Sequence, residues 1–284
     1  VVAGGDEAKA VEKVLDVHKT VENSGAKIAE IAGLDIADKL AEHQGEYVAG
    51  HLESAELIKV TANAFLALKI SFSNSIAKLC DETGANITEV MAAVGSDKRI
   101  GRAFLNAGRG YGGGCFPKDV SGLISSALEH GVDMPIMTSA VDVNESMHGY
   151  ILNKAELKVG PLADKKIAVL GLAFKPGTSD ARKSPAVAIA NQLAKIGAKV
   201  TAYDPEANKE ATPELRRGIE VKDSLEKAIN DTDIIFVATE WPEFKKFTSW
   251  KQHAPKLTAI VDCMNCLDDY RITDEELTLI GVGR

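Results

Sequence analysis

The sequence contains no apolar run that reaches the roughly 18 residues of a membrane-spanning helix, so we expect no membrane partner. It has no signal-peptide pattern and only four cysteines, which predicts a cytoplasmic protein rather than a disulfide framework. The net charge of −8 argues against a nucleic-acid partner. A local basic pocket for phosphate remains compatible with that charge.

Cys263 and Cys266 form the one C-x-x-C pair of the sequence. A single pair without a second pair or a histidine partner is a weak indication of zinc. We therefore expect half-buried thiols that follow a strand, and we predict no metal site.

Glycine is concentrated in residues 106–119, NAGRGYGGGCFPKD, where five glycines precede Cys115. Glycine tolerates positive φ and close approach of another group, so a ligand can lie along this loop. Pro117 is typical of a first helical turn, which places Cys115 beside Lys118 at a helix N-terminus. This environment favours a nucleophilic thiolate. A small buried thiol in a tight turn is an equally supported alternative.

Residues 53–83 lack glycine and proline, which predicts one long helix that spans a domain or forms a dimer interface. Lys59 and Asn63 stand four residues apart on it and share a face. Such a pair is ordinarily solvated or locally bonded, unless the fold brings Cys115 opposite. Further helices are predicted at 87–95, capped by Asn86, and at 136–157.

Strand and helix patterns alternate after a boundary at residues 159–166, which predicts a doubly wound parallel sheet. The predicted strands are 166–174, 199–205, 233–239 and, as the last one, 259–263, with a single helix over 243–252. Before the first long helix, we expect a strand end and a helix, and then a stretch at 24–50 that Gly25, Gly33 and Gly45 interrupt.

The loop 172–182, LAFKPGTSDAR, follows the first of these strands, at the edge where such sheets bind ligands. It is not a G-x-G-x-x-G turn, so it does not indicate a standard dinucleotide site. Lys175 and Arg182 instead supply charge for a diphosphate beside a helix capped by Ser184, with Pro185 in its first turn. An ordinary loop with surface charges is the alternative.

The segments AELIKVTANAFLALKISFSNSIAKLCDETGANITEV, DKRIG and GYGGGCFPKDV, in this order, resemble the UDP-glucose/GDP-mannose dehydrogenase family. The similarity continues through GLAFKPGTSDARKSP and DIIFVATEWPEF. It implies an α/β fold with a mainly helical central dimerisation domain at 51–160 and a Rossmann-like UDP-sugar-binding domain at 161–284. Residues 1–50 would be a remnant or linker after an NAD-binding domain.

The resemblance implies that the C6 alcohol of a nucleotide sugar is oxidised to a carboxylate in two steps with NAD. UDP-glucose is favoured over N-acetylated hexoses and mannose. Cys115 would carry a thiohemiacetal and then a thioester, Lys59 and Asn63 would stabilise the oxyanion and position water, and Asp119 would assist proton transfer. The remaining implied residues are, for substrate, Lys59, Arg99, Phe104, Leu105, Asn106, Tyr111, Gly112, Phe174 and Lys175, and, for NAD, Lys118 and Arg182. Arg99 would reach the sugar in the neighbouring subunit of a homodimer or higher homo-oligomer.

Several positions depart from the family pattern. Gly114 stands where serine is more frequent, and Cys263 and Met264 replace the Gly-Arg of an Asp-Gly-Arg-Asn turn. The sequence begins at Val1 without an NAD-binding domain, so we expect either a truncated piece or a natural short protein. Two alternatives to an enzyme stay open, namely a non-catalytic UDP-sugar-binding module and a structural dimerisation piece.

Overall fold

The computed structural model describes residues 1–42, 45–267 and 277–284. The chain divides into two units, Val1–Ala62 and Asn63–Arg284, and the division falls within one long helix. In the described part of the chain, no helix is both long and apolar enough to cross a bilayer.

The first unit contains two parallel strands separated in sequence by helices. These elements are β1 (Val2–Gly4), α1 (Ala8–Ile31), α2 (Ala37–Glu42) and β2 (Val48–Gly50). Val11 and Leu15 of α1 are buried with Ala3 of β1 in a small core. The predicted strand and helix are confirmed. The expected interruption at Gly25 is wrong, because α1 continues through it, although a glycine costs a helix about 1 kcal/mol.

The helices that follow β2 and precede the larger sheet have bounds that agree with the sequence signals. They are α3 (Leu52–Thr83), α4 (Ile87–Ser96), α5 (Phe116–Glu129) and α6 (Pro135–Val159). The Asn86 side chain accepts a hydrogen bond from the Thr88 amide, so the predicted cap of α4 is confirmed. The Ser71 hydroxyl of α3 donates to the Ala140 carbonyl of α6 at 2.6 Å, which ties two long helices together.

The second half of the chain forms a six-stranded, fully parallel sheet in the order β5-β4-β3-β6-β7-β8. Its strands are β3 (Lys166–Leu170), β4 (Lys199–Tyr203), β5 (Glu220–Val221), β6 (Ile234–Val237), β7 (Ala259–Asp262) and β8 (Thr278–Ile280). The helices between them are α7 (Pro185–Lys195), α8 (Asn208–Ala211), α9 (Leu225–Ile229), α10 (Pro242–Lys246) and α11 (Trp250–His253). The strand order reverses between β3 and β6, as in doubly wound folds.

Alternate residues of the central strand enter two separate cores. Ile167 and Val169 of β3 pack in one cluster with Ile189 of α7, whereas Ala168 and Leu170 pack in the other with helices of the opposite face. All four are fully buried. Burial on both faces explains the continuous apolar pattern of this strand.

Two details differ from the sequence-based expectations. Residues 243–252 do not form one helix, because Phe247 adopts an extended ψ of 128° and separates α10 from α11. Its ring packs edge-on against Trp250 with centroids 4.7 Å apart. The strand at 259–263 is not the last, since β8 pairs with β7 in parallel.

We predict that Asn86→Ala lowers the free energy of unfolding by about 1 kcal/mol, because the Thr88 amide loses its acceptor at the start of α4. Urea denaturation followed by circular dichroism measures this. Asn153→Ala is the matched control, since Asn153 is exposed within α6. Equal denaturation midpoints for the two variants would contradict the capping role.

Candidate active site

The glycine loop, residues 106–115, is held against the β3–α7 loop, residues 171–184. The Gly113 amide donates to the Arg182 carbonyl at 3.1 Å. A Cβ on Gly112 would lie 2.5 Å from Cδ of Pro185 and closer still to the Lys183 carbonyl oxygen. The predicted ligand cradle is therefore occupied along this part by protein backbone, which accounts for glycine there.

Cys115 is the residue that precedes α5, and its side chain is exposed. Its carbonyl accepts the Asp119 amide at 2.9 Å in the first helical turn, and Pro117 lies in that turn as expected. The tight-turn alternative with a buried thiol is thereby wrong. Exposure at a helix N-terminus is compatible with a reactive thiol.

Asn63 of α3 meets Asp119 directly. The Asn63 side-chain amide donates to the Asp119 carboxylate at 2.5 Å, and Lys118 Nζ lies 3.6 Å from the same carboxylate. Asp119 is only 5% exposed, so its position is set by protein contacts. Lys59 lies one turn earlier on α3, in the first unit, and its side chain is exposed.

Aromatic rings surround the start of α5. Phe116 contacts the rings of Phe104 and Tyr111, each with centroids 6.0 Å apart. Phe104 adopts a positive φ of 64°, which is a strained conformation for an aromatic residue. Phe104 and Asn106 line a cavity of about 320 Å³, whereas Leu105 points into the core at 2% exposure.

The β3–α7 loop brings two sequence-predicted residues beside the thiol loop. The Phe174 ring lies 2.8 Å from where a Cβ of Gly113 would be, and the Arg182 guanidinium lies 2.9 Å from that of Gly114. Arg182 also pairs with Asp180, which lowers the pKa of that carboxyl. Lys175 is exposed, with its ammonium 5.4 Å from the Phe174 ring centroid.

Arg99 lies in the exposed segment after α4. Its guanidinium makes a bidentate contact with Asp97, and the closest of these bonds is 2.6 Å long. The hydrogen bond from Arg99 is the main cause of the lowered pKa of Asp97. Its predicted reach to a neighbouring subunit stays a prediction.

The sequence reasoning missed two residues that organise the loops. The Asn144 side chain of α6 accepts from the Tyr111 amide at 2.7 Å and donates to the Tyr111 carbonyl at 3.1 Å. The buried Asp204 carboxylate accepts from the amides of Leu172 and Ala173 at 2.6 and 2.9 Å. Its position after β4, before a proline, was the available signal for a turn-forming aspartate.

The C-x-x-C thiols lie in the turn after β7. Both follow the strand as expected, and Cys266 is half-buried, but Cys263 is fully buried, so the expected half-burial is wrong for that thiol. Burial raises the pKa of both thiols above the ordinary range. Within residues 1–42, 45–267 and 277–284, no group of three or more potential metal ligands occurs.

His148 lies one helical turn after Asn144 in a second cavity, of about 480 Å³. Its Nε2 atom is buried and has no hydrogen-bond partner among the described residues. Burial, followed by the charge of Arg109, lowers the pKa of His148 to about 4. The imidazole is therefore neutral at physiological pH.

Comparison with known protein families gives two matches. Residues 53–146 match the central domain, and residues 168–269 the UDP binding domain, of the UDP-glucose/GDP-mannose dehydrogenase family. The matches together cover more than half of the chain.

Similar proteins carry related names. The UDP-glucose 6-dehydrogenase YwqF of Bacillus subtilis (strain 168) is 41% identical over 81% of this chain and 53% of its own length. The TuaD enzyme of the same name and organism is 45% identical over 69% of this chain and 42% of its own. The chain thus spans about half the length of the curated relatives it matches.

Solved structures agree in fold. A UDP-glucose dehydrogenase from Pyrobaculum islandicum superposes with a TM-score of 0.81 at 31% identity, over 99% of this chain and 58% of that one. A UDP-D-ManNAc dehydrogenase from Pyrococcus horikoshii superposes with a TM-score of 0.71 at 29% identity, over 88% and 57%.

We predict a pH-dependent stability term from His148. An unfolded histidine titrates near 6.5, so between pH 6.5 and about 4 the unfolded chain binds more protons than the folded one. The contribution is present in full above pH 6.5 and is lost as pH falls to about 4, to a total of about 3 kcal/mol. Urea unfolding of the protein and of His148→Gln at pH 7 and pH 5 measures it.

His18→Gln is the control for this measurement, because His18 is exposed on α1. The parent protein and the control should lose stability with falling pH more steeply than His148→Gln. Identical slopes for all three would contradict a buried neutral imidazole.

Proposed function

Because the chain belongs to the UDP-glucose/GDP-mannose dehydrogenase family, we propose that it forms the UDP-sugar and thiol part of an NAD-dependent UDP-glucose 6-dehydrogenase. The observation that carries this proposal is the exposed Cys115, at the start of α5, beside the Asn63–Asp119 pair. The names of the relatives favour UDP-glucose as the substrate.

The residues of the chain support a covalent route. Oxidation of the C6 alcohol releases a hydride equivalent and a proton and leaves an aldehyde. The Cys115 thiolate adds to the aldehyde carbon to give a thiohemiacetal, whose oxidation yields a thioester. Water then hydrolyses the thioester, which releases the carboxylate and regenerates the thiol. NAD⁺, when bound, accepts the hydride of each oxidation.

The buried polar pair next to the thiol suits the proton and water steps. Asp119 can accept a proton from the attacking water, and Asn63, which donates to Asp119, holds that carboxylate in place. By resemblance, Lys59 would stabilise the oxyanion. The family resemblance assigns substrate contacts to the loop at residues 104–106 and to Lys175.

The two residues assigned to NAD are positively charged, which suits a cofactor with a negatively charged diphosphate. Lys118 and Arg182 are exposed cations, Lys118 lies three residues after Cys115 in sequence, and Arg182 lies against Gly114. They would contact the cofactor near the thiol, while the rest of it would need a further domain.

A second candidate differs only in the sugar. The Pyrococcus horikoshii structure is named for UDP-D-ManNAc, and an enzyme from Methanosarcina mazei Go1 is named for NDP-N-acetyl-D-galactosaminuronic acid. We therefore include N-acetylated UDP-sugars in the test below.

We predict that UDP-glucose binds this chain and protects Cys115. At a ligand concentration of about ten times Kd, about 90% of sites are filled, so alkylation of Cys115 should slow about tenfold. Isothermal titration gives Kd, and peptide mass spectrometry after iodoacetamide treatment gives the rate at each cysteine. NAD⁺, UDP-N-acetylglucosamine and GDP-mannose are titrated separately as comparators.

Cys115→Ser separates catalysis from binding in this experiment. The enzyme hypothesis expects unchanged Kd of this chain for UDP-glucose. In the complete enzyme it expects loss of carboxylate formation, because a serine hydroxyl forms no thioester. A non-catalytic binding module would lose nothing on this substitution. A folded chain that binds none of the three nucleotide sugars would overturn the proposal.

We also propose that the chain forms a homodimer through α3. Exposed apolar side chains recur on it every seven residues, which keeps them on one face. They are Ile58, Phe65, Phe72 and Leu79, each between 42% and 58% exposed. Large apolar side chains at this exposure indicate a surface covered by a partner.

We predict that Phe72→Glu weakens self-association at least about tenfold, or about 1.4 kcal/mol, because a carboxylate would be buried in an apolar contact. Light scattering over a range of concentrations measures the dissociation constant. Ser125→Glu is the control, since it adds the same charge at an exposed position of α5. An unchanged dimer in Phe72→Glu would exclude this face of α3 as the interface.

A further inference from the structure

Arg109 is a buried cation in the middle of the glycine loop. Its side chain is among the largest that the protein buries, with 1% of the residue exposed. Its main-chain amide donates to the Cys263 carbonyl at 2.9 Å, so the backbone is held as well. Removing a guanidinium from water is costly, and acceptors for its two terminal nitrogens offset that cost in part, since the buried Nε has no hydrogen-bond partner among the described residues.

The acceptors of the Arg109 side chain lie on the β3–α7 loop. Nη2 donates to the carbonyls of Ala173 and Phe174 at 3.2 and 3.0 Å, and Nη1 lies 3.4 Å from the Ser184 hydroxyl. One side chain thus binds both the beginning and the end of that loop. The planar fork of arginine suits two adjacent carbonyls, whereas a lysine ammonium is a single point charge.

The segments that Arg109 binds are those that flank the thiol. The Phe174 ring packs on Gly113, and the Arg182 carbonyl, two residues before Ser184, accepts the Gly113 amide. The Arg182 side chain lies against Gly114, the residue directly before Cys115. A shift of the β3–α7 loop would therefore move both neighbours of the thiol loop together.

We propose that Arg109 is a positioning residue, which holds the β3–α7 loop on the glycine loop so that Phe174 and Arg182 stay beside Cys115. It acts through these residues, because its guanidinium is bonded to the β3–α7 loop, although the residue also lines the cavity of Phe104 and Asn106. The inference rests on the proposed function only where UDP-glucose affinity or KM is measured. The reactivity of Cys115 is measurable without any substrate.

The test uses Arg109→Lys and Arg109→Met, with the exposed Arg217→Met as the matched control. In the ligand-free protein, we expect hydrogen exchange at residues 110–114 to be at least about threefold faster in both Arg109 variants than in the control, since the loop opens more often. The alkylation rate of Cys115 should change as well, because Phe174 and Arg182 move away from the thiol. We expect UDP-glucose affinity to fall about tenfold, or about 1.4 kcal/mol. In the complete enzyme, KM should rise with a smaller change in kcat. The lysine variant should recover stability but not the hydrogen-exchange rates of the parent protein at residues 110–114.

The outcomes distinguish an Arg109 that positions the β3–α7 loop from an Arg109 that only fills space in the core. Folded Arg109 variants whose Cys115 alkylation and hydrogen exchange at residues 110–114 equal those of the control would overturn the proposal. If the parent protein binds no UDP-glucose, the proposed function fails, but the alkylation comparison still tests Arg109.

Hydrogen exchange of the unmodified protein decides the matter if neither Arg109 variant folds. The Gly113 amide is bonded to the Arg182 carbonyl, and the Phe174 amide to the Asp180 carbonyl. If Arg109 holds the two loops together, the opening free energies of these two amides should be equal. Clearly different opening free energies would overturn it.

Discussion

The close backbone approach between the glycine loop and its neighbours is the constraint on which the candidate active site depends. A Cβ on Gly108 would lie 2.7 Å from the Cys263 carbonyl oxygen, and one on Gly112 would lie 2.5 Å from Pro185 Cδ. No side chain fits at such distances, so larger residues would separate the layers. Because α5 begins directly after this loop, the separation would also move Cys115.

Local sequence signals predicted most of the fold. The caps at Asn86 and Ser184, the prolines that start α6 and α7, and the apolar run of β3 each determine structure within a few residues of themselves. The parallel sheet followed from the alternation of strands and helices. The extra strand β8 did not, because three residues are too few to establish a period.

The candidate site was predictable in its parts but not in its contacts. The glycine run and Cys115 are adjacent in sequence, and the separate roles of Asn63 and Asp119 came from resemblance, whereas their hydrogen bond was not predicted. Asn144 and Arg109 were missed because their partners lie far away along the chain. A local helical or loop pattern does not indicate which distant residue a side chain contacts. An arginine in a loop is also predicted to have an exposed side chain, whereas Arg109 is buried.

The two kinds of group at the candidate site have opposite exposure, and this has a chemical consequence. Cys115 is exposed, whereas Asp119, one turn later, is buried and bonded to Asn63. A nucleophile must meet a substrate that arrives from solvent, while a proton acceptor acts best when its position is already set. The fold therefore places its rigidity in the buried polar groups around the thiol rather than in the thiol itself. Substitution of those buried groups should alter the geometry of the reaction more than it alters the access of substrate to Cys115.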